Sequence, residues 1–267
     1  MRYALGLAAG MLLFHLAPMP AEAAQSVTGS WTIHPQAQRG IVALSLEIDD
    51  GRTGSHDRDT HDIPANAIGI TQEELDAPSS AVSFSIVRDA ARIAGKGTLA
   101  RGSGGGTFTL TPNVSFEAAL NGRGYDVAPA DLLGVAMIDI TIAYIDEIAS
   151  AGYPHLELGQ LIAFRALGVD GAYVRDLRTT FASAELDAGE LTSLRALRVT
   201  GDFVRSLRDA GVAITRPDEA LRLRALGIDR DYVRRVEAHG IVHPSIEQLV
   251  KLKALNIVVA QPREGAA

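Results

Sequence analysis

The sequence predicts a segregated α+β fold, in which a small β-rich N-terminal domain precedes an α-helical array of helix pairs. Short runs of alternating apolar and polar residues fill the first part of the chain, and the pattern changes at Pro112. From Val114 onward apolar residues fall at helical spacing, and one sentence recurs: GVDGAYVRDLR from Gly168, RVTGDFVRSLR from Arg198 and GIDRDYVRRVE from Gly227. A period of two marks a half-buried strand and a period near 3.6 a helix with one buried face.

In chain order, Arg2 is followed by an apolar run from Ala4 to Leu16, then Pro18, Pro20 and Ala21-Glu22-Ala23. This is the pattern of a secretory signal peptide. It is expected over residues 1–23, cleaved near Ala23, leaving a periplasmic or secreted chain. The run is shorter than the about 20 apolar residues that span a bilayer, so the mature chain is expected to carry no transmembrane segment.

The β-rich domain is expected over residues 26–111, with strands at Val27–Ile33 around Trp31, Ile41–Ile48, Ala81–Val87, Gly97–Ala100 and Thr107–Thr111. In the second, Val42, Leu44, Leu46 and Ile48 alternate with Ala43, Ser45 and Glu47. The polar stretches DDGRTGSHDRDTHD, from Asp49, and RGSGGG, from Arg101, read as loops. A helical linker over residues 112–130, a repeat domain over 131–260 and a disordered tail over 261–267 complete the expected organisation.

The repeats align on Tyr144, Tyr173, Phe203 and Tyr232, which are 29, 30 and 29 residues apart. A fixed period in this range marks a helical repeat array. Each unit opens with a helix whose apolar stripe recurs every three residues, as in Leu161, Phe164, Leu167 and Leu191, Leu194, Leu197; the last is Leu249, Leu252, Leu255. Thr141, Asp170, Thr200 and Asp229 then stand where a side-chain oxygen would cap a second helix, worth about 1 kcal/mol each. The inward face of that helix is the aromatic with apolar companions such as Val174 and Leu177, and Gly152, Gly211 and Gly240 follow as left-handed stops. Phe181 replaces the glycine in one unit, which is expected to end differently. Asp187 with Glu190 and Ser245 with Gln248 are capping-box pairs. One unit cannot bury its stripe alone, so neighbours must stack.

Composition narrows the chemistry. With no cysteine, disulfides, thiol catalysis and cysteine-based zinc sites are excluded. The net charge of −7 divides unevenly, with 8 basic and 16 acidic residues from Ala24 to Ala151 and 16 basic and 15 acidic from Gly152 on. Neither half has the basic excess of a nucleic-acid binder. His56, Asp57, Asp59, His61 and Asp62 form the densest ligand-like cluster, but it lacks the positions and glycine of a calcium loop and sets no coordination geometry. Gly102 to Gly106 lacks the Lys-Ser or Lys-Thr of a phosphate cradle. No acid, base and nucleophile constellation can be assembled, so a non-catalytic protein without cofactor is expected.

Charged residues also recur. Arg175, Arg205 and Arg234 share one position of the second helix, and Arg165, Arg195, Arg224 and Lys253 one position of the first. Stacking would align them into basic stripes able to bind an envelope protein or peptide. The plainer alternative has the arginine stems covering apolar edges while their heads pair with Asp176, Asp202, Asp209 or Asp231. A rival function is binding of a small ligand or cell-wall fragment in a pocket of the β domain around Trp31.

GGGTFTLTPNVSF from Gly104 to Phe116, together with units such as LIAFRALGVDGAYVRDLR from Leu161 to Arg178, resembles a bacterial family found in two settings. One is a stand-alone exported protein of unknown function. The other is the region downstream of the peptidase domain in membrane metallopeptidase sensors of the β-lactam-responsive type. The resemblance covers roughly residues 28–258. In those sensors the catalytic zinc motif lies outside this region, so the resemblance implies a non-catalytic accessory module and transfers no functional residue.

Overall fold

The computed structural model describes residues 25–48, 57–182, 185–255 and 257. The expected signal peptide and tail lie outside them. The N-terminal half is a curled, fully antiparallel sheet of β1 (Val27–Pro35), β2 (Ile41–Ile48), β3 (Asp57–Pro64), β4 (Ser80–Val87), β5 (Ala91–Ala100) and β6 (Ser103–Pro112), in the order β3-β2-β1-β6-β5-β4. One face buries Trp31, Ile33, Leu44, Leu46, Phe84, Ile93, Phe108 and Leu110. Between β3 and β4 the chain forms a 3-10 turn over Ala65–Ile68 and the short α1 (Gln72–Asp76), whose Leu75 joins the core. Thr71 and Glu74 cap α1 reciprocally.

Two polar stretches read as loops are strand in part: Asp57–Asp62 of the first, whose residues 49–56 lie outside the described residues, and Ser103–Gly106 of the second. Asp57–Pro64 pairs with β2 along its whole length, from Ile41 opposite Pro64 to Ile48 opposite Asp57. It is an edge, and charge and proline on an edge strand discourage pairing with other chains, which is why its composition resembles a loop. The glycine run after Arg101 lies inside β6, between β1 and β5. A Cβ at Gly106 would collide with the Lys96 carbonyl, and one at Gly97, opposite on β5, with the Gly105 carbonyl and the Trp31 indole. Glycine is there for close backbone approach, not for a flexible connection. Only Arg101 and Gly102 turn, both at positive φ.

The second half contains α2 (Val114–Asn121), α3 (Leu132–Met137), α4 (Ile142–Ser150), α5 (Leu158–Leu167), α6 (Gly171–Thr180), α7 (Ala188–Ala196), α8 (Gly201–Asp209), α9 (Pro217–Ala225), α10 (Arg230–Ala238) and α11 (Ile246–Ala254). Along one side α5 packs on α7, α7 on α9 and α9 on α11; along the other α2 packs on α4, α4 on α6, α6 on α8 and α8 on α10. The helix α3 also packs on β3 and β5, and Arg88 after β4 lies 3.4 Å from Asp139 after α3. No helix of the described residues is long and apolar enough to cross a membrane.

Thr141, Asp170, Thr200 and Asp229 accept from the N–H of Tyr144, Tyr173, Phe203 and Tyr232 at 3.1, 2.7, 3.2 and 2.8 Å, as the capping pattern predicts. Gly152, Gly211 and Gly240 stand at positive φ after α4, α8 and α10, whereas α6 stops at Phe181 with φ of −111°. The apolar stripes are not buried throughout. Leu161, Phe164, Leu191 and Leu194 are enclosed, but the third members Leu167, Leu197 and Leu255 are 37%, 41% and 61% exposed. They sit at the last turn, where the chain leaves its helix and the neighbouring helix no longer covers them.

Candidate functional site

The recurring cations of the first helices make the most regular polar arrangement of the described residues. Arg165, Arg195 and Arg224 each donate Nε–H to a carbonyl at the end of the preceding first helix: Ile138 at 3.4 Å, Leu167 at 3.0 Å and Leu197 at 3.1 Å. Lys253 Nζ donates to Gly227 at 3.4 Å. The last carbonyls of a helix have no intrahelical partner and carry the negative end of its dipole, so a cation there satisfies both.

Each of these side chains also lies over an aromatic ring of the preceding second helix: Arg165 over Tyr144 at 5.1 Å, Arg195 over Tyr173 at 4.9 Å, Arg224 over Phe203 at 5.0 Å and Lys253 over Tyr232 at 4.6 Å. Such contacts favour the cation within about 6 Å of the ring centre. Carbonyl and ring together fix the orientation of the guanidinium. The terminal nitrogens of Arg195 and Arg224 have no acceptor among the described residues, while Nη2 of Arg165 lies 3.9 Å from Asp139. The half-exposed leucines stand two residues beyond the cations, so a charge and an apolar group recur together along this side.

Three of these rings, Tyr144, Tyr173 and Tyr232, are buried, and Phe203 is partly buried against the same core. Tyr144 and Tyr173 are buried and donate their hydroxyls to the Val169 and Val199 carbonyls at 2.7 and 2.8 Å. Burial pushes both phenols well above the usual tyrosine range. The Tyr232 hydroxyl is buried with no partner among the described residues, and Phe203 has none to place.

The second-helix arginines do not behave alike. Arg205 is held by Asp176 at 2.9 Å and Asp202 at 2.6 Å, whereas Arg175 and Arg234 are exposed and have no ion pair among the described residues. Pairing with aspartate therefore applies to Arg205 alone of the six candidate arginines apart from the 3.9 Å approach of Arg165 to Asp139. The first-helix cations bind backbone carbonyls and rings instead.

Two further kinds of side-chain bond join successive helices, from residues at fixed offsets from the aromatics. Arg178 and Arg208, five residues after their aromatics, donate to the Ala151 and Thr180 carbonyls, each at 3.0 Å. Glu147 and Asp176, three residues after theirs, accept from the N–H of Gly171 and Gly201, each at 2.9 Å. A Cβ at either glycine would strike that carboxylate.

Trp31 offers no ligand pocket. Its ring is 1% exposed and edge-on to Phe84 at 5.3 Å, and its Nε1–H is shared between the Lys96 and Thr107 carbonyls at 3.1 and 3.2 Å. The β half instead has a cleft of about 370 Å³ between β3, β4 and α3, lined by Ile63, Ile68, Ile86, Val87, Arg88 and Met137 among others. Arg88 is its one charged lining residue. Among the described residues, no three His, Asp or Glu side chains converge as a metal site; His56 lies outside them. No family model, curated protein or solved structure matches the chain.

Proposed function

We propose that the helical half is a repeat array of helix pairs, with a period of about 29 residues, that binds another polypeptide without catalysis. The chain acts outside the cytoplasm after loss of the signal peptide, and its partner is an envelope protein or peptide. One observation carries this reading. Arg195, Arg224 and Lys253 are held in place by carbonyls and rings, yet keep donors without acceptors among the described residues, beside partly exposed leucines. Leu197 and Leu255, 41% and 61% exposed, put an apolar surface beside those donors. The resemblance to exported accessory modules and the absence of a basic excess agree with a polypeptide partner.

The test uses the chain lacking residues 1–23 as bait in envelope extract. Beside it stand an Arg195→Gln, Arg224→Gln, Lys253→Gln variant and an Arg175→Glu, Arg205→Glu, Arg234→Glu variant, each checked for fold by circular dichroism and melting. A protein captured by the parent and second variant but lost by the first supports the first-helix ladder. Equal capture by all three overturns it and directs attention to the β-half cleft.

A further inference from the structure

We infer that the segment taken by this ladder is an acidic stretch in the polyproline II conformation with a carboxylate at every third residue. The inference rests on the polypeptide-binding reading above and adds the chemistry and register of the partner. Arg195, Arg224 and Lys253 stand on α7, α9 and α11, which pack side by side. Packed helices lie about 8–10 Å apart, so equivalent side chains repeat at that step and span about 16–20 Å over three rungs.

A polyproline II helix rises about 3.1 Å per residue with three residues per turn, which places every third side chain on one face at about 9.3 Å. A strand presents same-face side chains at about 6.7 Å or 13 Å. An α-helix returns to the same face at seven residues, about 10.5 Å, and overshoots the span by the third rung. Polyproline II is the backbone whose step falls inside the about 8–10 Å spacing typical of packed helices.

The chemistry agrees with the geometry. With Nε of Arg195 and Arg224 already donated to the Leu167 and Leu197 carbonyls, the two terminal nitrogens remain as an end-on fork that matches a carboxylate. Lys253 offers the same charge with remaining donors on Nζ. Leu197 and Leu255 are 41% and 61% exposed and Leu226 is partly so, giving the residues between carboxylates an apolar surface to cover. Arg165 bounds the site on the other side, because Asp139 already lies near its head.

Fluorescence anisotropy at low ionic strength would compare three labelled peptides of equal charge: four repeats of Glu-Pro-Pro, four of Glu-Pro, and an alanine-rich helix with glutamate at every seventh residue. Glu-Pro and Glu-Pro-Pro share conformation and charge and differ in register. The expected result is binding of Glu-Pro-Pro about tenfold tighter than either other peptide, falling with added salt. A Leu197→Ser, Leu255→Ser variant, altered only at exposed leucines, should weaken it severalfold, and Arg195→Lys with Arg224→Lys should weaken it while keeping the charge.

Equal affinity for Glu-Pro and Glu-Pro-Pro overturns the register and leaves unspecific charge attraction. Tighter binding of the helical peptide overturns the conformation. No binding of any peptide, with ladder-dependent capture from envelope extract intact, also overturns this inference while sparing the array reading. That reading falls only if capture itself is indifferent to the ladder.

Discussion

Tyr144 and Tyr173 donate hydroxyls to the Val169 and Val199 carbonyls, Phe203 has no hydroxyl, and Tyr232 buries one without a partner among the described residues. A buried hydrogen bond contributes about 1 kcal/mol net, while an unpaired buried hydroxyl contributes nothing or costs. Tyr173→Phe should therefore lower stability by about 1 kcal/mol in urea unfolding, whereas Tyr232→Phe should be neutral or slightly stabilising. Phe203→Tyr should gain a bond to the Ile228 carbonyl, visible as a raised urea midpoint. Backbone conformation allows another residue-scale expectation. Asp139, Gly168, Arg198 and Gly227 end the first helices at φ of 58°, 73°, 56° and 63°. A non-glycine residue there is strained, so Arg198→Gly should stabilise by about 0.5 kcal/mol, after the loss from a freer unfolded chain is subtracted. A lowered melting temperature would contradict that.

At the scale of the element, caps decide where helices begin. Glu219 in the first turn of α9 accepts from the N–H of Thr215 at 2.8 Å and Arg216 at 3.0 Å. Partial burial disfavours its charge, but these bonds and the Arg216 guanidinium outweigh that and hold its carboxyl below the usual glutamate range. A carboxyl depressed in the folded state stabilises above its unfolded pKa, and that contribution disappears as the pH falls through the folded value. Glu219→Gln should lower the melting temperature at neutral pH, with the difference from the parent shrinking in acid. An unchanged difference across that range would mean that charge plays no part in the cap. The capping residues Thr141, Asp170, Thr200 and Asp229 were legible in the sequence because a cap acts within three residues of itself. β3 and the glycines of β6 were not. Asp57–Pro64 has poor strand propensity and is a strand because β2 offers it an edge, and Gly104–Gly106 sit in a strand because neighbouring backbones need the space.

For the whole molecule, helices that each contact their neighbours distribute stability unevenly along the chain. Ile257, three residues after α11, is 49% exposed, whereas Val169, Val199 and Ile228, which follow α5, α7 and α9, are fully buried. Hydrogen exchange should therefore be fastest in α11 and slower in α7 and α8, which have neighbours on both sides. Protection of α11 equal to that of α7 would show that the end is covered. The alternation of β-type runs with a later helical periodicity determined the α+β organisation, a sheet followed by helices, and the cap residues marked where four of the helices begin. These are local properties, written in periods that one element is enough to express. The role of each recurring arginine depended on the fold: Arg195 and Arg224 reach carbonyls 28 and 27 residues away, while Arg205 closes on two aspartates. Burial of Trp31 and exposure of Leu197 were likewise settled by packing, because whether a side chain meets water depends on which distant segment arrives to cover it.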